Sequence, residues 1–567
     1  MQKLKIPLFI ILPFLAFGAS LFHGFAPVDD SFLIVENLAI RAINWENLKH
    51  FFTTYDPELY IPLVFVSFQF NYLIGELAPF NYHLTNIIIH IMNSLLVVRI
   101  LTQLSTVNNQ QSTNDKEVDG GLLRAKRVDS WLIVFAGLIY AVHPLNTEAV
   151  VWLAGRKDLL SGLFFFASLT FYLDFIKGNR KAYWLSITMF LLALLSKVIA
   201  VTLLGILILH WLLIIRNKEE RANSQSANLL IALRFLPYII LSAIFIAVAL
   251  GGKARVIASV SFIDKILVAC KSTVFYIYKF LIPTDLTIIY PLQGDISLVD
   301  MRILPSVIIA IVLIMIAIKT LKRHPWITFG IGWYLVCLAP TFLNIGKANL
   351  VFFAVDRYAY LPMVGLLIVL VYIYKSIRPI AGSIIIVVLI ALSINQTNTW
   401  ETPDGVFRRT LSIYPESVGA RVGLATILRH QNKFEEAFEV ITEGVKYMDH
   451  SLLHMNAGFV YAATGQVGDA EERFRAAIDM DPSNPEPYFS LGSLFDQTGR
   501  SDEAISFYEK AVELDDSYVI ARAKLGNLYL KKNQTDLARE QFEKALEWNK
   551  FSVEANEGMR RIQDLSI

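Results

Sequence analysis

Residues 6–25 read IPLFIILPFLAFGASLFHGF, and the acidic pair Asp29-Asp30 follows them within five residues. An apolar stretch of this length can cross a hydrocarbon core about 30 Å thick. Lys3 and Lys5 precede the stretch, and the positive-inside rule places them in the cytoplasm. The sequence therefore predicts a first transmembrane span that delivers two carboxylates to the opposite membrane surface. Carboxylates beside lipid are costly to desolvate, so a general base or a metal site is one interpretation of the pair. A solvated helix-capping pair is the other.

The composition of the chain limits what it can be. Of its 567 residues, 55% are hydrophobic, and the apolar excess lies in residues 1–396, which is too much for a single soluble domain. The formal net charge is only +2, so we expect no polyanionic partner and no nucleic acid. Cys270 and Cys337 fall in or beside apolar segments, where we expect small core residues and no disulfide framework.

Basic clusters alternate along the chain with connections that carry more sequence motifs. The five basic clusters are residues 116–127, 177–181, 216–221, 319–324 and 375–378. The positive-inside rule places all five on the cytoplasmic side with the N-terminus. The other connections are then predicted to face outward, and they are residues 26–60, 143–158, 251–300, 343–360 and the region around 196–199.

This alternation closes only if two apolar stretches do not cross the membrane. Residues 60–77 contain Gln69 and Asn71, and residues 264–282 contain three lysines, so both are predicted to lie in the interface. The predicted spans are then near 6–25, 82–104, 131–143, 159–176, 182–196, 199–215, 234–250, 303–320, 326–342, 361–375 and 379–396. About eleven spans is an odd number, which places the C-terminal region in the periplasm, the cell exterior or the ER lumen.

From residue 418 the sequence becomes periodic. Small residues recur every 33–34 positions at Ala437, Ala470, Ala504 and Ala538. Large apolar residues follow them at a fixed offset: Ile441, Phe474, Tyr508 and Phe542. This is the tetratricopeptide period, in which small residues lie where two helices cross and large residues fill the gap. Such arrays bind peptides or proteins on a concave face, although a rigid spacer is the alternative.

The sequence therefore predicts an all-α protein. We expect a polytopic membrane helical bundle over residues 1–396, a linker over 397–417, and an α-solenoid of about four tetratricopeptide repeats over 418–567.

The outward connection at residues 140–162 reads YAVHPLNTEAVVWLAGRKDLLSG and concentrates polar groups between apolar spans. The polar side chains are His143, Glu148, Arg156, Lys157 and Asp158. Charges this close to lipid should pair with one another or line a polar cavity. A salt-bridged loop of structural value is the alternative, and His143 could equally cap the preceding span.

Two more cations lie at outward span ends. Lys197 follows Ser196 in an apolar stretch, where it could extend to the interface or contact a lipid phosphate. Arg357 lies between Asp356 and Tyr358, and arginine suits bidentate phosphate recognition. An Asp356–Arg357 structural network is the alternative. Asp56 and Glu58 are weaker candidates, because YDPE also reads as a turn before a helix.

Taken together, these segments resemble one family. The segments are Asp29-Asp30, residues 60–97 (YIPLVFVSFQFNYLIGELAPFNYHLTNIIIHIMNSLLV), residues 141–165 (AVHPLNTEAVVWLAGRKDLLSGLFF), Ser196-Lys197, residues 356–362 (DRYAYLP) and the repeats. The chain resembles the transmembrane and tetratricopeptide-repeat-containing proteins, GT-C glycosyltransferases akin to protein O-mannosyltransferases. The family's usual Ser-Lys-Glu is Ser196-Lys197-Val198 here, so its acidic member is absent.

The resemblance implies a sugar transferase that faces the lumen or periplasm and uses a polyprenyl-phosphate sugar, with mannose as the expected sugar. The acceptor is then a protein hydroxyl, held through the repeats. Such a transfer needs a base for the acceptor hydroxyl and a means of holding the leaving phosphate. The family's acidic motif maps onto Asp29 and Asp30, the candidate catalytic residues. Lys197 and Arg357 are the candidates for the donor phosphate.

The remaining candidates are expected to line the cavity: His143, Glu148, Arg156 and Asp158. We find no zinc spacing, Walker loop, dinucleotide fingerprint or nucleophile elbow, and the sequence leaves open whether a divalent metal assists. A non-enzymatic membrane scaffold with docking repeats is the main alternative. A lipid or polysaccharide transporter is a third hypothesis, but it would favour charges deep within the spans.

The predicted topology can be tested directly. A reporter enzyme that folds only outside the cytoplasm, fused after Ile567, should be active, because an odd number of spans follows a cytoplasmic N-terminus. A second fusion at the same site, to a reporter that works only in the cytoplasm, is the matched control and should be silent. Activity of the cytoplasmic reporter would overturn the topology and the placement of the repeats.

Overall fold

A computed structural model of the chain describes residues 5–26, 29–55, 59–114, 130–215, 226–253, 261–292, 296–343, 346–347, 350–374 and 378–565. Several residues of the sequence argument lie outside these ranges: Lys3, Asp56, Glu58, Lys375 and the basic clusters at 116–127 and 216–221. The chain divides into two compact units, Met1–Val406 and Phe407–Ile567. This division does not test the predicted domain boundaries, including the linker over residues 397–417, which stay a prediction.

The first unit is built from α-helices. Their bounds are Lys5–Phe17, Trp45–Thr53, Pro62–Gly75, Pro79–Asn114, Ser130–Val142, Thr147–Val151, Arg156–Ile176, Arg180–Ser196, Thr202–His210, Ser226–Lys253, Phe262–Leu281, Leu304–Thr320, Pro325–Leu338, Met363–Ile373 and Pro379–Asn398. Short 3₁₀ or π turns extend or connect them: Gly18–Phe22, Ser31–Val35, Leu38–Arg41, Pro144–Asn146, Leu153–Gly155, Val198–Val201, Trp211–Ile215, Ala339–Leu343 and Asp356–Ala359. The predicted all-α class is confirmed.

A small antiparallel sheet accompanies the helices. Its strands, Tyr290–Pro291 (β1), Gly346–Lys347 (β2) and Leu350–Ala354 (β3), lie in the order β1-β3-β2. Tyr290 pairs with Ala354, and Lys347 pairs with Leu350. Because β3 ends at Ala354, the sheet fixes where the turn Asp356–Ala359 begins, and that turn carries one of the candidate cations.

Six helices within the described ranges are long and apolar enough to cross a membrane: Pro79–Ser105, Leu153–Ile176, Val198–Ile215, Leu233–Gly252, Pro325–Phe342 and Pro379–Asn398. A bent pair, Ser130–Val142 with Pro144–Val151, would make a seventh. The predicted spans at 6–25, 303–320 and 361–375 coincide with shorter apolar helices, Ile6–Phe22, Leu304–Thr320 and Met363–Ile373. The expected count of about eleven therefore stays a prediction.

The bend in the segment near residue 143 has a local cause. Pro144 has no backbone N–H, and its ring disfavours helical backbone at the residue before it. His143 accordingly has extended dihedrals, φ −72° and ψ 132°. The helix Ser130–Val142 stops there, and the chain turns by 45° before it continues. This break leaves His143 outside a helix, and Glu148 and Arg156 follow in the separate helices Thr147–Val151 and Arg156–Ile176.

The polar side chains of helix Pro62–Gly75 contact other parts of the protein. Gln69 is buried and donates to the carbonyl oxygens of Ala39 and Ala42 at 3.0 and 2.9 Å. Asn71 donates to the carbonyl of Asn81 at 3.1 Å and to Thr85 Oγ1 at 2.8 Å. The amide nitrogens of these two residues, on which the interfacial prediction depended, therefore donate to groups within the bundle.

The second unit is an array of paired helices: Val418–His430, Phe434–Tyr447, Ser451–Ala463, Val467–Met480, Pro485–Gln497, Ser501–Leu514, Val519–Lys531, Thr535–Trp548 and Val553–Leu565. The periodic glycines explain the packing. A Cβ built on Gly492 would lie 2.6 Å from the buried ring of Tyr508, and one built on Gly526 would lie 2.7 Å from Phe542. Only glycine allows the first helix of each pair to approach the aromatic residue of the second so closely.

Candidate functional site

The two aspartates of the first outward loop have different environments. Asp30 is fully buried, and each of its carboxylate oxygens accepts a backbone N–H, from Ala26 at 2.8 Å and from Ala154 at 2.9 Å. Burial raises the pKa of Asp30 to about 7, against the lowering effect of these two donors. Asp30 therefore ties the loop after the first span to the turn Leu153–Gly155.

Asp29 is the accessible member of the pair. Its side chain is 29% exposed, and one carboxylate oxygen lies 3.3 Å from Nζ of Lys157. Its backbone carbonyl accepts the N–H of Leu33 at 3.0 Å, which anchors the first turn of the segment that follows. Of the two carboxyl groups predicted to carry the chemistry, Asp29 is thus the one that can meet a substrate.

Arg357 is paired with Glu148. Its backbone N–H donates to Glu148 Oε2 at 2.7 Å, and its Nη1 forms an ion pair with Oε1 of the same carboxylate. Its neighbour Asp356 instead accepts the hydroxyl of Tyr290 at 2.7 Å, and burial raises the pKa of Asp356 well above its usual value. The two adjacent side chains therefore have different hydrogen-bond partners.

Lys197 is paired with Asp158. Its Nζ lies 2.5 Å from Asp158 Oδ1, at the point where helix Arg180–Ser196 ends. The other carboxylate oxygen, Asp158 Oδ2, is buried and has no hydrogen-bond partner among the described residues. Lys197 is therefore held inside the protein at the end of its helix, next to a carboxylate that keeps unused acceptor capacity.

Two aromatic rings bring Lys157, Lys197 and Arg357 together, and we call these three residues the cation cluster. The centroid of the Trp152 ring lies 4.8 Å from Lys157 Nζ and 4.9 Å from Arg357 Cζ. The centroid of the Tyr358 ring lies 5.7 Å from Lys197 Nζ and 5.5 Å from Arg357 Cζ. Both rings are within the range of cation–π attraction for two cations each. Each cation also has its own carboxylate, so the cluster is charge-balanced as it stands.

Arg156 lies in a closed cage beside this region. Its Nε donates to Asn86 Oδ1 at 2.8 Å, its Nη2 donates to the carbonyl of Tyr82 at 2.7 Å, and its Nη1 contacts Asn71 Oδ1. The ring of Phe68 covers the guanidinium, with 4.7 Å between Cζ and the ring centroid. The side chain is fully buried. All three nitrogens are engaged, so this arrangement is structural and leaves no face for a ligand.

His143 also makes structural contacts. Its Nδ1 accepts the backbone N–H of Leu145 at 3.2 Å, and its Nε2 lies 3.0 Å from the carbonyl of Phe280. The ring stacks on Phe280 with 5.4 Å between centroids. His143 thus caps the short helix Pro144–Asn146 that follows it, rather than the helix before it. Since Nδ1 accepts, the proton must lie on Nε2.

The sequence argument named Lys157 but gave it no role, and it did not single out Trp152 or Tyr358. All three lie inside the quoted motif stretches, next to residues that were chosen. The usable signal was an aromatic residue within five positions of a cation in each motif. Within the described part of the chain, no group of three or more His, Cys, Asp or Glu side chains is placed to hold a metal ion.

Comparison with known proteins covers both units. Family models for the tetratricopeptide repeat match residues 457–519 and 497–562. Human protein O-mannosyl-transferase TMTC3 is 23% identical over 471 residues, which cover 75% of this chain and 48% of that protein. Mouse protein O-mannosyl-transferase TMTC4 is 26% identical over 63% of this chain and 54% of that protein. The chain spans about half the length of these relatives.

Two crystal structures each match less than a third of this chain. That of MamA is 21% identical and covers 28% of this chain and 91% of its own, with a TM-score of 0.24. That of TTC0263 from Thermus thermophilus is 21% identical and covers 31% and 94%, with a TM-score of 0.26.

The cage around Arg156 yields a stability prediction. Arg156→Lys should lower the thermal stability of the detergent-purified protein strongly, because one ammonium group cannot satisfy acceptors in three directions, and each buried acceptor left unpaired costs about 1–3 kcal/mol. The matched control is Arg99→Lys, since Arg99 pairs with Asp174 in an exposed ion pair worth about 0–1 kcal/mol. Equal melting temperatures for the two variants would contradict the structural role.

Proposed function

Because the chain is a homologue of the transmembrane and tetratricopeptide-repeat-containing protein O-mannosyl-transferases, we propose that it is an integral membrane glycosyltransferase that moves mannose from a polyprenyl-phosphate donor to a protein hydroxyl. The observation that carries the proposal is the position of Asp29. This partly exposed carboxylate lies next to the cation cluster. A base for the acceptor and cations for a phosphate therefore belong to one region.

The reaction needs two contributions from the protein. Asp29 takes the proton of the acceptor hydroxyl as its oxygen attacks the anomeric carbon. The bond between that carbon and the phosphate oxygen breaks, and the electron pair leaves with the polyprenyl phosphate. The nucleophile enters opposite the leaving group, so a single displacement inverts the anomeric centre. The phosphate is a good leaving group, and cations that stabilise its charge replace a general acid.

Arg357 and Lys197 are suited to hold that phosphate. Arg357 Nε is buried and has no hydrogen-bond partner among the residues described, so the guanidinium keeps a donor in reserve beside its pair with Glu148. Lys197 lies near Arg357, since both cations contact the ring of Tyr358. An incoming phosphate would share Arg357 with Glu148 and Lys197 with Asp158. The hydrogen bonds between the phosphate and these cations are charge-assisted, and such bonds are stronger than those between neutral groups.

The tetratricopeptide repeats are the proposed site for the protein acceptor, and the helical bundle is the site for the lipid-linked donor. The outward face is the extracytoplasmic one, since the basic clusters are predicted to stay in the cytoplasm. The N-terminus is then cytoplasmic, and the repeats share a compartment with Asp29. A lipid-linked sugar on that side of the membrane meets the catalytic region at the membrane surface.

The acidic pair gives the sharpest test. Asp29→Asn keeps the shape of the side chain but removes the base, so transfer from a polyprenyl-phosphate mannose to an acceptor peptide should fall about a hundredfold or more. Asp30→Asn should act differently. Its amide nitrogen would meet one of the two backbone N–H donors, so this variant should lose thermal stability while its folded fraction retains measurable transfer.

The control for the acidic pair is Asp174→Asn, which changes a carboxylate at the other end of helix Arg156–Ile176 and should leave transfer unchanged. Near-normal transfer in both Asp29→Asn and Asp30→Asn would exclude the mechanism. It would favour the alternative of a non-enzymatic membrane scaffold with docking repeats.

The phosphate site gives a second test. Arg357→Ala should weaken the use of the donor more than that of the acceptor, by about ten- to a hundredfold in kcat/KM for the donor, because a desolvated charge-assisted contact is worth about 1.5–3 kcal/mol. Lys197→Ala is the companion variant. Arg302→Ala is the control, because Arg302 pairs with Asp300 in an exposed ion pair. An unchanged dependence on donor concentration in folded Arg357→Ala would remove Arg357 from the site.

A further inference from the structure

Lys157 connects the proposed base to the proposed phosphate site. Its side chain is only 5% exposed, and its Nζ lies 3.3 Å from Asp29 Oδ2. The same nitrogen lies 4.8 Å from the centroid of the Trp152 ring, which also contacts Arg357. A buried ammonium group is costly unless it is paired. The ion pair with Asp29, the candidate base, therefore offsets the cost of burying the ammonium group of Lys157.

We propose that Lys157 is a positioning residue for the transfer reaction: it holds the carboxylate of Asp29 in one orientation and, through the indole of Trp152, fixes Asp29 relative to Arg357. This inference rests on the proposed function. It adds a role for a residue that touches neither the acceptor nor the donor in the proposed mechanism.

The pairing pattern around Lys157 supports this role. Lys197 and Arg357 are engaged with Asp158 and Glu148. Across the described ranges, Asp29 is the carboxylate within ion-pair distance of Lys157. The charged groups that act on Lys157 are Asp29, Arg357, Lys197 and Asp158. Asp29 also faces the carboxyl group of Asp30. Lys157 is thus the cation that holds the carboxylate of Asp29 in place.

Trp152 restrains Lys157 from the other side. Its ring stacks on that of Trp400, with 6.4 Å between centroids and 25° between planes, and the side chain is buried. A ring held in this way limits the positions open to both cations that contact it. The distance between base and phosphate site is therefore set by one lysine and one indole, and misplacement of reacting groups by about 1 Å is enough to cost a hundredfold in rate.

The experiment compares Lys157→Met, which keeps the aliphatic stem, with Lys157→Arg, which keeps the charge. Lys157→Met should lower the maximal rate of transfer about ten- to a hundredfold, with KM for donor and acceptor changed less than about twofold. Lys157→Arg should lose less rate, because it keeps a cation beside Asp29. Lys177→Met is the control, because Lys177 is exposed and lies just after helix Arg156–Ile176, which contains Lys157.

Trp152→Phe keeps the proposal testable if Lys157→Met does not fold. This variant retains the Asp29–Lys157 ion pair but weakens the restraint, so the maximal rate should fall with little change in KM. An undiminished rate in folded Lys157→Met, or equal losses in Lys157→Met and Lys157→Arg, would overturn the positioning role. Those results together with an inactive Asp29→Asn would leave the proposed function standing. Near-normal transfer by both Asp29→Asn and Asp30→Asn would instead exclude the proposed mechanism.

Discussion

The ion pair between Glu148 and Arg357 is the contact on which the candidate site depends. It joins two segments that are more than 200 positions apart in the sequence, the broken helix after Pro144 and the turn after β3. Glu148 binds both the side chain and the backbone N–H of Arg357, so it fixes the direction of the turn as well as its charge. Breaking such a pair by removing one partner leaves a buried charge uncompensated and costs about 3–5 kcal/mol.

The same principle explains why three ion pairs lie in one place. A charged group near lipid is stable only when it has a partner. Each of the three carboxylates forms an ion pair with one cation; they are Asp29, Asp158 and Glu148. The rings of Trp152 and Tyr358 each make cation–π contacts with two of the cations. The cluster is therefore preorganised without a ligand. A phosphate that enters it meets cations already in position, and the cost of assembling them has been met during folding.

Regular and local features could be predicted from the sequence. The repeats follow from a 33–34-residue period in which every unit repeats the same contact between a small residue and a large apolar side chain. The all-α class and the apolar helices follow from composition and length. The concentration of charges in residues 143–158 also predicts polar tertiary contacts there, because charges between apolar spans must be accommodated by the fold.

What the sequence could not supply is pairing over long distances. Adjacent residues have opposite fates: Asp30 is buried by two backbone donors while Asp29 is partly exposed, and Arg156 fills a closed cage while Lys157 reaches the site. No local pattern separates these neighbours, because a shift of one position along a helix turns a side chain by about 100°. The hydrogen bond from Ala154 buries Asp30, and the hydrogen bond to Asn86 holds Arg156 in its cage. A sequence motif can therefore indicate which segment carries a function, but the individual side chains can be assigned only when these tertiary contacts are known.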